Sequence, residues 1–79
     1  MKTIEIKTNK SKNRVALVQM SNGGYKVLIE KTNYSCGRNI TKWFTAQVSR
    51  KMTHNEFQNY ASNGICFDEA KKLFNKKAA

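Results

Sequence analysis

The sequence predicts an α+β fold in a single domain, residues 1–79: a small antiparallel sheet of about four strands covered by one or two C-terminal helices. Three observations carry this. Apolar and polar residues alternate with period two through much of the first part of the chain. Asn22-Gly23-Gly24 lies between two such stretches. The last third carries a helix-capping pattern and then an amphipathic stripe. Strands followed by helices place the helices together on one face of the sheet.

The first strand is expected over 2–8, with Ile4 and Ile6 on its buried face and Thr3, Glu5 and Lys7 on the other. Asn9-Lys10-Ser11-Lys12-Asn13 is a polar turn. The second strand, 14–21, is apolar almost throughout (Val15, Ala16, Leu17, Val18, Met20), which marks a central strand covered on both faces, or partly so. Asn-Gly and Gly-Gly tolerate the positive φ that tight hairpins need, so an antiparallel hairpin joins this strand to a third at 25–32. Residues 34–39 read as a second turn. A long fourth strand at 40–50 puts Ile40, Phe44, Ala46 and Val48 on an apolar even face, and Trp43 among polar residues on the odd face.

Thr53-His54-Asn55-Glu56 matches a capping box, and Phe57, Tyr60 and Ala61 follow at i, i+3, i+4, predicting a helix over 53–62 that stops at Asn63-Gly64. A strand over 56–62 is the alternative. A second helix is expected over 68–77. Asp68 and Glu69 lie in its first turn and Lys76 and Lys77 in its last, matching the helix dipole. Phe67, Ala70, Leu73 and Phe74 form its buried stripe, and Lys71, Lys72, Asn75 and Lys76 face water.

Composition narrows the function. The chain is 39% hydrophobic and 25% charged, as ordinary folded domains are, which argues against a wholly disordered chain. No apolar run approaches the ~18 residues of a membrane span. Met1-Lys2-Thr3-Ile4-Glu5 lacks the apolar segment of a secretory signal. The expectation is a cytoplasmic protein of a bacterium or phage-infected host cell, with no membrane partner.

Charge says most. Fifteen Lys and Arg oppose five Asp and Glu, giving a net charge of +10 and a pI near 10.0. The excess is spread over both halves of the chain, so the folded body itself is positive. Such a field draws in polyanions, chiefly nucleic acid, and also acidic protein surfaces. The basic residues fall into groups: Lys7, Lys10, Lys12 and Arg14; Arg38 and Lys42; Arg50 and Lys51; and Lys71, Lys72, Lys76 and Lys77, with Lys26 on the third strand. Phosphate binding needs several charges on one continuous track. The alternative is a solvated, Lys-rich surface.

Trp43 adds a possible stacking platform for unpaired bases, beside Thr41, Thr45, Gln47 and Lys26. The competing reading packs Trp43 over Leu28 or Val15. A helix-turn-helix with 68–77 as recognition helix is disfavoured, because Asp68 and Glu69 would meet the DNA.

Catalytic and metal-ligand sets are missing. Cys36 and Cys66 are thirty positions apart, and His54 is the one histidine. No paired zinc-ligand spacing exists, and only a Cys36–His54 pair would make a nucleophile. No phosphate-cradling glycine loop is present. The expectation is a non-enzyme without cofactor or metal.

In size, hairpin-rich sheet and terminal helix, the chain is similar to small phage accessory proteins, including some anti-CRISPR inhibitors. That resemblance implies the second function class: an inhibitor or adaptor whose basic surface binds a protein partner. The first is direct binding of DNA or RNA, or of a nucleoprotein complex.

Overall fold

The computed structural model describes residues 1–48 and 51–79. Its elements run β1 (Lys2–Thr8), β2 (Arg14–Gln19), β3 (Tyr25–Ser35), β4 (Arg38–Thr45), α1 (His54–Asn63) and α2 (Phe67–Lys77). The strands form one antiparallel sheet in the order β1-β2-β3-β4, so each connection is a hairpin. The α+β class and the four-stranded antiparallel sheet followed by C-terminal helices, two of the expected one or two, are those the sequence predicts.

Register fixes the faces. Val15 lies opposite Ile29 and Leu17 opposite Val27. These side chains meet Tyr60, Ala70, Leu73 and Phe74 in the core, where Val15, Leu17, Val27 and Phe74 are fully buried. Arg14, Ala16, Val18, Leu28 and Glu30 alternate with them and belong to the face opposite the helices. All four residues from Val15 to Val18 are buried, as expected of a central strand.

The ends of the strands differ from the sequence reading for local reasons. β2 stops at Gln19, because the Met20 carbonyl accepts from the Gly23 amide to close the turn. β3 continues to Ser35 and β4 starts at Arg38, because Cys36 (φ 52°) and Gly37 (φ 80°) form a two-residue turn with both φ values positive. That geometry matches the twist of a hairpin and needs no further residues. β4 ends at Thr45, short of the expected 50. Ala46 still donates to the Val27 carbonyl at 2.9 Å. Beyond it the edge of β3 is finished by the helical segment: the Val27 amide donates to the Tyr60 hydroxyl at 3.0 Å, and Tyr25 and Ile65 exchange backbone bonds of 2.9 and 2.8 Å. The end of the predicted strand, Ser49 and Arg50, lies outside the described residues.

Two predicted core faces are corrected. A bulge between Thr3 and Glu5 shifts the register of β1, so Glu5 and Lys7 face Leu17 and Val15 on the helix side. Ile4 and Ile6 are instead 42% and 47% exposed. Of the even face expected for the fourth strand only Ala46, just past the end of β4, is buried. Phe44, still paired with Ile29, is exposed because only Phe57 and Lys77 of the helices come near it, and Val48 is exposed beyond the strand.

The helices follow their signals. The Thr53 hydroxyl accepts from the Glu56 amide at 3.1 Å, and Gly64 (φ 78°) donates to the Tyr60 carbonyl at 2.8 Å. The strand alternative for 56–62 is therefore excluded. α2 buries Ala70, Leu73 and Phe74. Phe67 stays exposed and meets Tyr25 edge to face, with ring centroids 5.2 Å apart. Among the described residues, no helix is long and apolar enough to cross a membrane.

Candidate nucleic-acid interface

Several of the predicted contact residues are already engaged within the fold. Lys71, expected to face water, lies 2.6 Å from the Glu5 carboxylate, and Lys7 lies 3.5 Å from it. Both ammonium groups also stand over the Phe74 ring, at 5.3 and 5.8 Å. This follows from the register shift that turns Glu5 and Lys7 toward α2. The hydrogen bond from Lys71 holds the Glu5 carboxyl below its ordinary 4.5, against a smaller opposing effect of desolvation. Lys26 donates to the Ala61 carbonyl at 3.3 Å.

On the face opposite the helices Arg14 grips Glu30 with two bonds, 3.1 and 2.6 Å. That pairing raises the Arg14 pKa and lowers that of Glu30. The same guanidinium lies 5.4 Å from the centre of the Trp43 ring. Trp43 is opposite Glu30 in the register and 39% exposed. It is thus accessible, but its ring carries the protein's own cation, and Val15 is on the other side of the sheet.

The remaining cations converge elsewhere. Beyond Glu30, β3 and β4 continue as a two-stranded arm, and residues 31–39 are all exposed. Lys31 stands directly opposite Lys42, and Arg38 is next to the Cys36-Gly37 turn. At the base of the arm is an open groove of about 670 Å³. Its lining includes Lys31, Asn33 and Phe44 from the arm, Gln47, Phe57 from α1 and Lys77 from the end of α2; no described Asp or Glu lines it. The β1–β2 turn, which carries Lys10 and Lys12, is tied to that same helix end. Asn9 Nδ2 donates to the Lys77 carbonyl at 3.2 Å, and the Lys10 amide to the Ala79 carbonyl at 3.5 Å. The turn, the arm and the α2 C-terminus therefore bring Lys10, Lys12, Lys31, Lys42 and Lys77 to one end of the molecule. Asp68 and Glu69 are at the opposite end of α2.

Lys72 and Lys76 line a shallower groove with Val48, Leu73 and Glu69. Lys51 is exposed, and Arg50 lies outside the described residues. Lys31, Phe44 and Phe57 were not among the residues predicted as a site. One signal for them was available: no Asp or Glu occurs between Glu30 and Glu56.

Catalytic geometry does not assemble around the candidate pair. Cys36 is at the tip of the arm, and His54 opens α1, where it bonds Gln58 at 3.3 Å. No three of His, Cys, Asp and Glu among the described residues group as metal ligands would. Comparison with protein families, curated proteins and solved structures finds no match to this chain.

Proposed function

We propose that the protein is a non-enzymatic binding module that holds nucleic acid, bare or within a nucleoprotein complex, against its basic end. The observation that carries this reading is the placing of Lys10, Lys12, Lys31, Lys42 and Lys77 at one end of the molecule, beside a groove lined by Lys31 and Lys77 and by no described carboxylate. Glu5 and Glu30 do not offset that charge, being matched by Lys71 and Lys7 and by Arg14. A polyanion needs a surface of one sign with enough reach to touch several phosphates. On this reading the protein works in the cytoplasm and requires no cofactor.

The test is a titration with random-sequence DNA and RNA over a salt series. Neutralising about four to six phosphates makes log K fall against log salt with a slope of roughly −3 to −5. Lys10→Glu with Lys12→Glu should weaken binding and flatten that slope by about 1 per lost contact. Folded protein that binds neither polymer at about 50 mM salt refutes the reading. That outcome leaves the inhibitor or adaptor class, whose basic surface would meet an acidic protein.

A further inference from the structure

We infer that the groove at the base of the β3–β4 arm takes an unpaired stretch of nucleic acid, one base lying on Phe44 and a phosphate held between Lys31 and Lys42. The inference rests on the nucleic-acid reading above and specifies the form of polymer.

Phe44 is the first ground. Its register partner is Ile29, on the helix side of the sheet, yet 42% of it is exposed. The helices stop short of it and contribute only Phe57 and Lys77 to the far wall. An aromatic ring left open in a basic groove is the stacking surface that single-strand binders provide, and it accepts any base because each has a π-face.

The second ground is the pairing of Lys31 with Lys42. Like charges directly opposite in an antiparallel ladder repel. Lys31 lines the groove with Lys77 and with no described carboxylate, and Lys42 flanks the groove as the ladder partner of Lys31. A phosphate between the two ammonium groups would satisfy both. Asn33 and Gln47, in the lining with Lys31, offer amides to base edges.

Size is the third. A volume of about 670 Å³ falls in the range of small-molecule sites, room for one or two nucleotide units. Trp43 is the weaker platform, because it belongs to the opposite face and Arg14 already lies over its ring.

The experiment compares a labelled dT oligomer of about 12 nucleotides with a duplex of the same length by fluorescence anisotropy, at about 50 mM salt. The single strand should bind about tenfold more tightly. Phe44→Leu keeps apolar bulk at an exposed position and removes the π-face. It should weaken oligomer binding roughly 5- to 30-fold while the duplex value stays unchanged. Lys31→Gln with Lys42→Gln should flatten the oligomer's salt slope by about 1–2. Circular dichroism verifies that each variant is folded, and the lysine pair decides the matter if Phe44→Leu is not. Trp43, the single tryptophan, should keep most of its emission in the complex. Equal or tighter duplex binding, an unaffected Phe44→Leu, or strong Trp43 quenching would overturn the groove assignment while leaving the general nucleic-acid reading in place. Loss of binding to both polymers in the wild-type protein removes both.

Discussion

Gly24→Ala should destabilise the protein far more than Gly23→Ala, although the two glycines are adjacent in the same turn. A methyl group on Gly24 would penetrate the Asn63 carbonyl oxygen and come within 3.2 Å of both the Asn63 carbonyl carbon and the Gly64 Cα. Those atoms are backbone, so no side chain can swing aside. To admit the methyl group, the α1–α2 link must move off the start of β3. That breaks the two Tyr25–Ile65 bonds, worth about 1 kcal/mol each, and adds about 1–3 kcal/mol of overpacking strain. The total is about 3–5 kcal/mol. The effect is large, because a domain of this length has only about 4–12 kcal/mol of stability. At Gly23 nothing lies within 4 Å of the added methyl group, and the cost is only that of holding alanine at φ 91°, about 1–2 kcal/mol. Urea unfolding followed by circular dichroism and Trp43 emission measures both variants. In thermal scans Gly24→Ala should lower the midpoint by roughly 20 °C. A Gly24→Ala protein as stable as Gly23→Ala would mean that the link does not rest on the turn as described, and the account of how the β3 edge is closed would fall with it.

Other outcomes follow from the same contacts. Phe74→Ala should cost about 3–5 kcal/mol in urea titrations, since the ring is fully buried among β2, β3 and α2 side chains. Tyr60→Phe keeps the buried ring but leaves the Val27 amide without its acceptor; a loss of about 1–3 kcal/mol is expected, and an unchanged urea midpoint would contradict the edge-capping role. Acid should weaken the fold through Glu5 and Glu30, whose carboxyls are held below 4.5 by the bonds from Lys71 and Arg14. A carboxyl with a depressed folded pKa contributes stability above its unfolded pKa and loses that contribution as pH falls through the folded value. Urea midpoints measured from about pH 6 down to about pH 3 should therefore drop less in Glu5→Gln with Glu30→Gln than in the wild type.

Local signals in the sequence were enough for the order of elements. Alternation located β1, β3 and β4, a continuous apolar run located β2, and Thr53 with Glu56 located the start of α1 because a cap is a contact between near neighbours. Faces were harder to read. The bulge at Thr3/Glu5 exchanges the two sides of β1, and nothing in an Ile-Glu-Ile run announces an extra residue. The arm was missed because Asn33, Tyr34 and Ser35 resemble turn residues, while the turn needs only Cys36 and Gly37. The candidate groove was the least legible part. Lys31, Phe44, Phe57 and Lys77 come from four elements, and only the packing of α1 and α2 against the sheet brings them together. Likewise, Arg14 counted as an available cation until the register placed Glu30 and Trp43 beside it.

The tie between the first turn and the last helix also bears on how the protein is made. Adjacent-strand hairpins form in about 1–10 μs, so β1 to β4 can pair as they leave the ribosome. Their apolar floor of Val15, Leu17 and Val27 is closed by Tyr60 and, last, by Ala70, Leu73 and Phe74. At about 5–20 residues per second, Phe74 is added roughly 2–9 s after Val27. Through the later part of that interval, after Thr45 is added, the chain holds all four strands before the residues that cover them. Asn9 waits longer still, about 3–14 s, for the Lys77 carbonyl. Newly made copies are therefore most exposed to chaperones, proteases and one another just before synthesis reaches α2, and a ribosome stalled there would release a sticky sheet in place of a folded domain.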